Sequence, residues 1–406
     1  MYHRSEKVKL LYIANARIPS EKAHPYQILK MCEAFAKNGM DVELVVPFRV
    51  QTNKRMRAID DIWQYYGVED KFRITTLPSL DLIFVGSYLP SWIEYLLFYL
   101  QASTFYLFAI LHSLLRKAEI IYSRDPEFLF ILGLIKPSWR PRMYYEAHTF
   151  PGSRIGKWLR LWVGRRIGGL IAITNKLKEL YTELGIPEDR ILVAHHGVDL
   201  ARFERKSDKK QARKKLGLPL GKKLVCYTGH LYPWKGVYVL AQSAKLLSGC
   251  QFVVVGGMAD DIKKYRAYLD AENISNIKTV GYVQPALVAD YLSASDVLVL
   301  PNSAKKRVSD YYSYPIKLFE YMTAERPIIA SNLPSLREIL RDGENAILVE
   351  PDDPRALLKG IQRVLDDPDL ARRISEQAYS EVMQYSWEER ARKILEFITD
   401  ALEGMP

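Results

Sequence analysis

The chain has 406 residues, with 58 lysines and arginines against 47 aspartates and glutamates, a net charge of +11 at neutral pH. Hydrophobic residues at 48% and charged residues at 26% match an ordinary globular protein, which excludes intrinsic disorder, collagen and a long coiled coil. Three scattered cysteines, Cys32, Cys226 and Cys250, exclude a disulfide framework or a zinc site and suit a reducing compartment.

The N-terminal stretch MYHRSEKVKLLYIANARIP passes from a short basic start straight into a strand, and its apolar run is too short for a secretory leader. Strand-like runs then alternate with helix-period segments. KVKLLYIAN, DVELVVP, EIIYSRD, RMYYEAH and GLIAIT fall in the first half; KKLVCYTGH, CQFVVVGG, IKTVGYV, DVLVLPN, RPIIASN and NAILVEP fall in the second. Between them, segments such as Pro25 to Asn38 and Val237 to Leu247 repeat apolar residues at three- and four-residue steps. Near-continuous Val, Ile and Leu runs separated by helices predict parallel strands buried on both faces. The fold class expected is α/β, with two facing doubly wound Rossmann-like domains and a cleft between them. Boundaries are placed at 1–197, 198–384 and a C-terminal helix over 385–406 that returns to the first domain.

Two segments of the first half carry membrane character. Trp92 to Leu115 is long and apolar enough to span a bilayer, but polar residues interrupt it and it leads directly into the strand at Glu119 to Ser123. It is expected to be a helix either buried in the domain or seated in a membrane surface. Ile155 to Ile167 (IGKWLRLWVGRRI) alternates Trp and Leu with cations at helical spacing. That pattern fits an interfacial amphipathic helix on anionic lipid, or a domain helix whose long basic side chains cover its rim. The basic residues carry no nucleic-acid-binding signature, so no nucleic-acid partner is expected.

The chemistry-bearing stretches cluster at strand ends. After Asp296 to Leu300 comes Tyr311-Tyr312-Ser313-Tyr314-Pro315-Ile316-Lys317-Leu318-Phe319-Glu320, in which Ser313 can cap a helix and Pro315 can open it. Such a helix start is an anion site, and a cation in its first turn, Lys317, makes sense beside an anion. The loop Thr228-Gly229-His230-Leu231-Tyr232-Pro233-Trp234-Lys235-Gly236 follows the first strand of the second half. It places His230 and Lys235 at the carboxyl edge of a sheet, where ligands of open α/β sheets bind. Gly256-Gly257 forms a further turn at that edge. In the first half Glu146 and His148 sit two apart at a strand end, so the carboxylate can orient the imidazole and raise its basicity. Thr174 is a helix cap, and the adjacent His195 and His196 read as hinge residues.

Taken together, YTGHLYPWKG, VGYV with Gln284, SASDVLVLPNS, SYPIKLFEYMTAERPIIASNLPSLREIL and NAILVEP resemble the retaining family-4 glycosyltransferases. The first half matches more loosely through YEAH, LIAITNKLKELYTELGIPEDRILVAHHGVDLARF and QILKMCEAFAKNGMDVELVVP. The resemblance implies that Glu320 binds the ribose hydroxyls of a nucleotide, Lys235 neutralises its pyrophosphate, and the backbone from Ser313 through Tyr314 and Ile316 to Lys317 cradles the distal phosphate. Tyr282 and Val283 then lie where the base-binding loop passes, and His148 contacts the transferred sugar. Three positions depart from the family pattern: Tyr312 replaces the first motif glutamate, His230 replaces the arginine that partners the lysine, and Asn15 to Ser20 replaces a glycine-rich loop.

The function expected is transfer of a hexose-like sugar from a nucleoside diphosphate, UDP- or GDP-linked, to a saccharide or lipid-linked glycan in polysaccharide or glycolipid synthesis. The resemblance implies that the anomeric configuration is retained, and since no Asp-x-Asp pair is poised for a metal, no metal or cofactor is expected; the expected setting is the cytoplasm or, peripherally, the inner membrane face. Arg17, Ser20, Arg160, Arg165 and Arg166 are the candidate contacts for acceptor or anionic membrane. The alternatives are a sugar-nucleotide epimerase or phosphorylase of the same fold, and a catalytically silent partner subunit.

Overall fold

The computed structural model describes residues 7–86, 90–204, 208–305 and 316–403. The chain divides into two compact units, one of Met1–His195 with Trp387–Pro406 and one of His196–Ser386.

The first unit is built on seven parallel strands: β1 (Lys9–Ile13), β2 (Asp41–Pro47), β3 (Arg73–Leu77), β4 (Ile120–Ser123), β5 (Met143–Ala147), β6 (Gly169–Ala172) and β7 (Ile191–Val193). Their order is β3-β2-β1-β4-β5-β6-β7, so the chain reverses direction across the sheet between β1 and β4. Central strands β4, β5 and β6 are buried along their whole length. That is why they read as continuous apolar runs rather than alternations. Strands β3 and β7 are additions to the sequence reading. Both are edge strands: β3 (RITTL) is only half-buried, and β7 has three residues, so neither produces a long apolar run.

The helix Trp387–Glu403 belongs to this unit. Trp387, Ala391, Ile394 and Ile398 recur on one face and enter the core with the helix Ala23–Lys37 and strands β1 and β2. Gly169 admits the edge of this helix, because a Cβ there would stand 2.5 Å from Phe397.

The second unit carries six parallel strands: β8 (Lys223–Thr228), β9 (Cys250–Val255), β10 (Ile277–Gly281), β11 (Val297–Leu300), β12 (Ile328–Ser331) and β13 (Ile347–Val349). The order is β10-β9-β8-β11-β12-β13, with the reversal between β8 and β11. Ligands of such sheets bind at the carboxyl ends beside this reversal, which is where the loops after β8 and β11 emerge. Two apolar clusters, one on each side of the sheet, hold the unit together.

Ile394 is fully buried between the C-terminal helix and the first sheet. Ile394→Ala is expected to lower the unfolding free energy by about 2–4 kcal/mol, read as an earlier midpoint in urea denaturation followed by circular dichroism.

Candidate active site

In the second unit the site begins with backbone packing. Gly229 (φ +133°), Gly236 (φ +76°) and Gly256 (φ +108°) occupy the left-handed region. A Cβ on Gly236 would lie 1.5 Å from the Pro301 carbonyl oxygen, and one on Gly256 would lie 2.4 Å from that of Gly229. Glycine is therefore required for the loops after β8, β9 and β11 to press together. Gly256 N donates to Gly281 O at 2.7 Å, and Ser303 N donates to Trp234 O at 3.0 Å. These bonds extend the packed rim from the loop after β10 to the loop after β11.

Two lysines occupy this rim. Lys317 opens the helix Lys317–Thr323; its Nζ donates to Thr228 O at 2.8 Å and lies 3.6 Å from the Tyr227 ring centre. Burial, with the Lys235 ammonium nearby, pushes Lys317 well below the ordinary lysine range, partly offset by Glu320. The Lys235 Nζ stands 4.0 Å from the Trp234 ring centre, and burial pushes its pKa down to about 8. Among the described residues neither ammonium has a carboxylate within 4.0 Å. Two lysines shielded from water, with no ion-pair partner among the described residues, form a site that an anion would stabilise in its charged form.

His230 stacks on Tyr232 at 5.1 Å between ring centres, and Tyr232 stacks on Trp234 at 5.9 Å. Tyr227 OH donates to His230 O at 2.7 Å and holds the loop to the strand. Glu320 lies one turn beyond Lys317 and is half-buried. Burial raises its carboxyl above the usual range, against the pull of Arg202 and Lys317. Tyr282 and Val283 follow β10, half-buried, with Val283 packed on the apolar cluster beneath. Ile316 is a half-buried residue immediately before the helix. Ser313 and Tyr314, with Tyr312 and Pro315, lie outside the described residues.

Arg202 was not anticipated. It sits in the short helix Leu200–Glu204, and its buried Nε and Nη2 have no hydrogen-bond partner among the described residues. The sequence signal is faint, since an arginine before a phenylalanine in VDLARF reads as an ordinary amphipathic position.

In the first unit the centre is Glu146, fully enclosed on β5. Its Oε1 is 2.7 Å from Arg124 Nη2 and 2.5 Å from His148 Nε2. Its Oε2 lies 3.3 Å from Arg390 Nη2 on the C-terminal helix and accepts from Tyr122 OH. Arg124 Nη1 also donates to Gln27 Oε1 at 3.1 Å. Burial opposes the charge, but Arg124 and Arg390 hold the Glu146 carboxyl well below the usual range. The expectation that Glu146 makes His148 more basic is corrected here. Burial and then Arg124 outweigh the carboxylate and push His148 down to about 4. His148 is therefore a neutral imidazole at pH 7, its Nε2–H held by Glu146, and it offers a dipole and a lone pair rather than a cation.

The remaining candidates fall elsewhere in this unit. Ser20 is buried, and its backbone N donates to Tyr66 OH at 2.7 Å. Arg17 pairs with Glu21 at 3.8 Å. Arg160 is half-buried beside Tyr145 and Tyr181, while Arg165 donates through Nε to Gly185 O at 2.6 Å. Arg166 is exposed, with its guanidinium 5.0 Å from the Trp162 ring centre. Thr174 Oγ1 caps its helix, accepting from Leu177 N at 3.1 Å. The division between units falls between His195 and His196.

Glu146→Gln leaves Arg124 and Arg390 buried together without their carboxylate. The loss expected is about 3–5 kcal/mol of stability, measured by denaturant unfolding, and a much smaller loss would show that water already reaches the cluster.

Comparison with known proteins identifies the family. Residues 26–202 match the family described as Glycosyltransferase Family 4, and residues 208–381 match Glycosyl transferases group 1. A D-inositol 3-phosphate glycosyltransferase of Thermobispora bispora is 26% identical over 59% of this chain and 56% of its own length. An α-D-kanosaminyltransferase of Streptomyces kanamyceticus is 27% identical over 59% and 61%. The chain thus spans a little over half the length of the curated relatives it matches. Among solved structures, sucrose-phosphate synthase of Thermosynechococcus elongatus superposes with a TM-score of 0.76 at 17% identity, covering 98% of this chain and 100% of its own. HepE of Anabaena, solved with UDP, gives 0.74 at 15% identity over 97% and 100%. The two Rossmann-like units and these matches to both halves establish that the chain belongs to the family-4, group 1 glycosyltransferases, with the glycosyltransferase B-type fold.

Proposed function

We propose that the protein transfers a hexose-like sugar from a nucleoside diphosphate, UDP- or GDP-linked, to a saccharide or lipid-linked glycan, with the anomeric configuration retained. The observation that carries this reading is the pair Lys235, half-buried, and Lys317, buried, two lysine side chains at one sheet edge without a carboxylate partner among the described residues. A sugar nucleotide breaks its bond between the anomeric carbon and the diphosphate oxygen, and negative charge grows on the leaving diphosphate. Cations already desolvated and fixed in place stabilise that charge with little reorganisation. HepE of Anabaena has been solved with UDP-glucose, which supports a nucleotide sugar as ligand of this fold.

The other residues take roles that follow from their chemistry. Glu320 suits hydrogen bonds to ribose hydroxyls, since a carboxyl of raised pKa both accepts and, when protonated, donates. His230, held in its aromatic stack, is assigned to the phosphate contacts as a hydrogen-bonding group. His148 is assigned to the transferred sugar as a hydrogen-bonding group; with its pKa near 4 it is a poor general base, which favours leaving-group stabilisation as the main catalytic effect. The reading includes no metal step. The three cysteines are buried free thiols, which supports a reducing, cytoplasmic setting.

A thermal-shift screen over UDP-, GDP-, ADP- and CMP-sugars tests the donor. UDP- or GDP-sugars are expected to raise the melting temperature, and Lys235→Ala and Glu320→Ala to abolish the shift. No shift with any donor would favour a silent subunit. Return of an intact, inverted sugar nucleotide without acceptor would favour an epimerase, and an inverted product anomer by NMR would reject retention.

The lysine pKa gives a second measurement. An anionic diphosphate binds the protonated Lys235, whose pKa in the free protein is about 8. Donor affinity should therefore weaken as pH rises above about 8, by up to about tenfold per pH unit for one linked proton. Lys235→Gln should weaken binding and remove this contribution to the pH dependence, as read by calorimetry.

A further inference from the structure

A helix on the surface of a soluble domain turns its polar residues outward. The helix Ser91–Leu115 of the first unit does the reverse. Gln101 and Ser113 are fully buried, Gln101 Oε1 accepting from Arg49 Nη1 at 3.5 Å and Ser113 Oγ donating to Ala109 O at 2.7 Å. His112 turns to Glu43, 3.0 Å away. The outward stripe is Trp92, Leu96, Tyr99, Leu107, Leu111 and Leu114, from 38% to 66% exposed, and Ser103 alone interrupts it. These positions recur at three- and four-residue steps and so share one side of the helix.

Twenty-five residues make a helix about 37 Å long at 1.5 Å per residue, enough to cross a bilayer. Its inner face is nevertheless part of the domain. Phe105 and Ala109 are fully buried, and the helix packs on β3 and on the helix Pro126–Ile135. It cannot span a bilayer without leaving the sheet it covers.

The apolar face continues beyond this helix. Ile131, Leu134 and Ile135 are exposed on the next helix, and Ile155 (79%) and Trp158 (55%) on the helix Arg154–Arg166. Phe130 joins these two helices, with its ring centre 5.5 Å from that of Trp158 and 4.7 Å from that of Trp162. Cations frame the face: Arg116, Lys117, Lys136, Arg154, Lys157 and Arg166 are all exposed. Among the described residues of the three helices, Glu94 is the one exposed acid.

We propose that this face inserts in the plane of an anionic lipid bilayer, with the helix Ser91–Leu115 lying at the boundary between headgroups and acyl chains. Aromatic residues at the interface and a basic frame match an apolar layer bounded by anionic headgroups. A second copy of the chain fits less well, since a two-fold contact through this face would set the same cations against each other. The apolar stripe, rather than the basic helix alone, supplies the main attachment. The proposal gives the lipid-linked acceptor reading a location, and it is tested without nucleotide sugar, so the two stand or fall separately.

Flotation of the full chain with vesicles of phosphatidylcholine, alone or with phosphatidylglycerol, provides the test. Binding is expected to favour the anionic vesicles, and to weaken but persist when salt is raised, because salt screens the cations and leaves apolar contact intact. The double variant Leu107→Glu with Leu111→Glu alters exposed positions, so its circular dichroism and donor-induced thermal shift should match the unmodified chain. Its vesicle binding should fall at least about tenfold, given the cost of carboxylates at lipid depth. Absence of vesicle binding, or a double variant that binds as well as the unmodified chain, would overturn the proposal. So would a stable dimer that the double variant dissociates in the absence of lipid binding, which would assign the face to a second copy.

Discussion

Two lysine side chains at the carboxyl edge of a parallel sheet, without an ion-pair partner among the described residues, are the constraint around which the second unit is organised. Keeping an ammonium group out of water without a carboxylate is unfavourable, and the depressed pKa of Lys235 and Lys317 expresses that cost. The surrounding structure tolerates it through backbone contacts only glycine permits, at Gly229, Gly236 and Gly256. The ammonium of Lys317 keeps one carbonyl acceptor, Thr228 O, and the face of Tyr227. A structural salt bridge would have cost less; this arrangement makes sense for a ligand that brings its own negative charge.

The first unit resolves the opposite problem. Glu146 is a buried carboxylate, and two arginines from distant parts of the chain, Arg124 after β4 and Arg390 on the C-terminal helix, neutralise it. Burial of His148 first, and then the positive charge of Arg124 beside it, keep the imidazole neutral despite a carboxylate partner. The C-terminal helix thus contributes to the surroundings of the histidine as well as to the core through Trp387, Ile394 and Ile398.

Burial explains where sequence reading succeeded and where it stopped. Strands β4, β5, β6, β8, β9, β11 and β12 were legible because they are apolar on both faces, whereas β3 (RITTL) is polar at three of five positions and only half-buried, and leaves a weaker pattern. His230, Lys235, Lys317 and Glu320 could be singled out because each follows a recognisable strand, glycine turn or family motif. Arg124, Arg202 and Arg390 could not, because an arginine in a helix or after a strand looks like surface until its neighbours are known.

Local pattern was enough to establish the α/β class, the loops that gather charge and the family resemblance, since these depend on residue order and short-range periodicity. Folding had to decide the protonation of His148, the inward turn of Arg160 and the reversed polarity of the helix Ser91–Leu115. Each depends on which distant side chains exclude water from a group, and that property has no counterpart along the chain. The segment over 92–115 is the clearest case: its composition fits a core helix as well as a membrane-seated one, and only its packing reveals that Gln101 and Ser113 face inward while Trp92 and Leu111 face out.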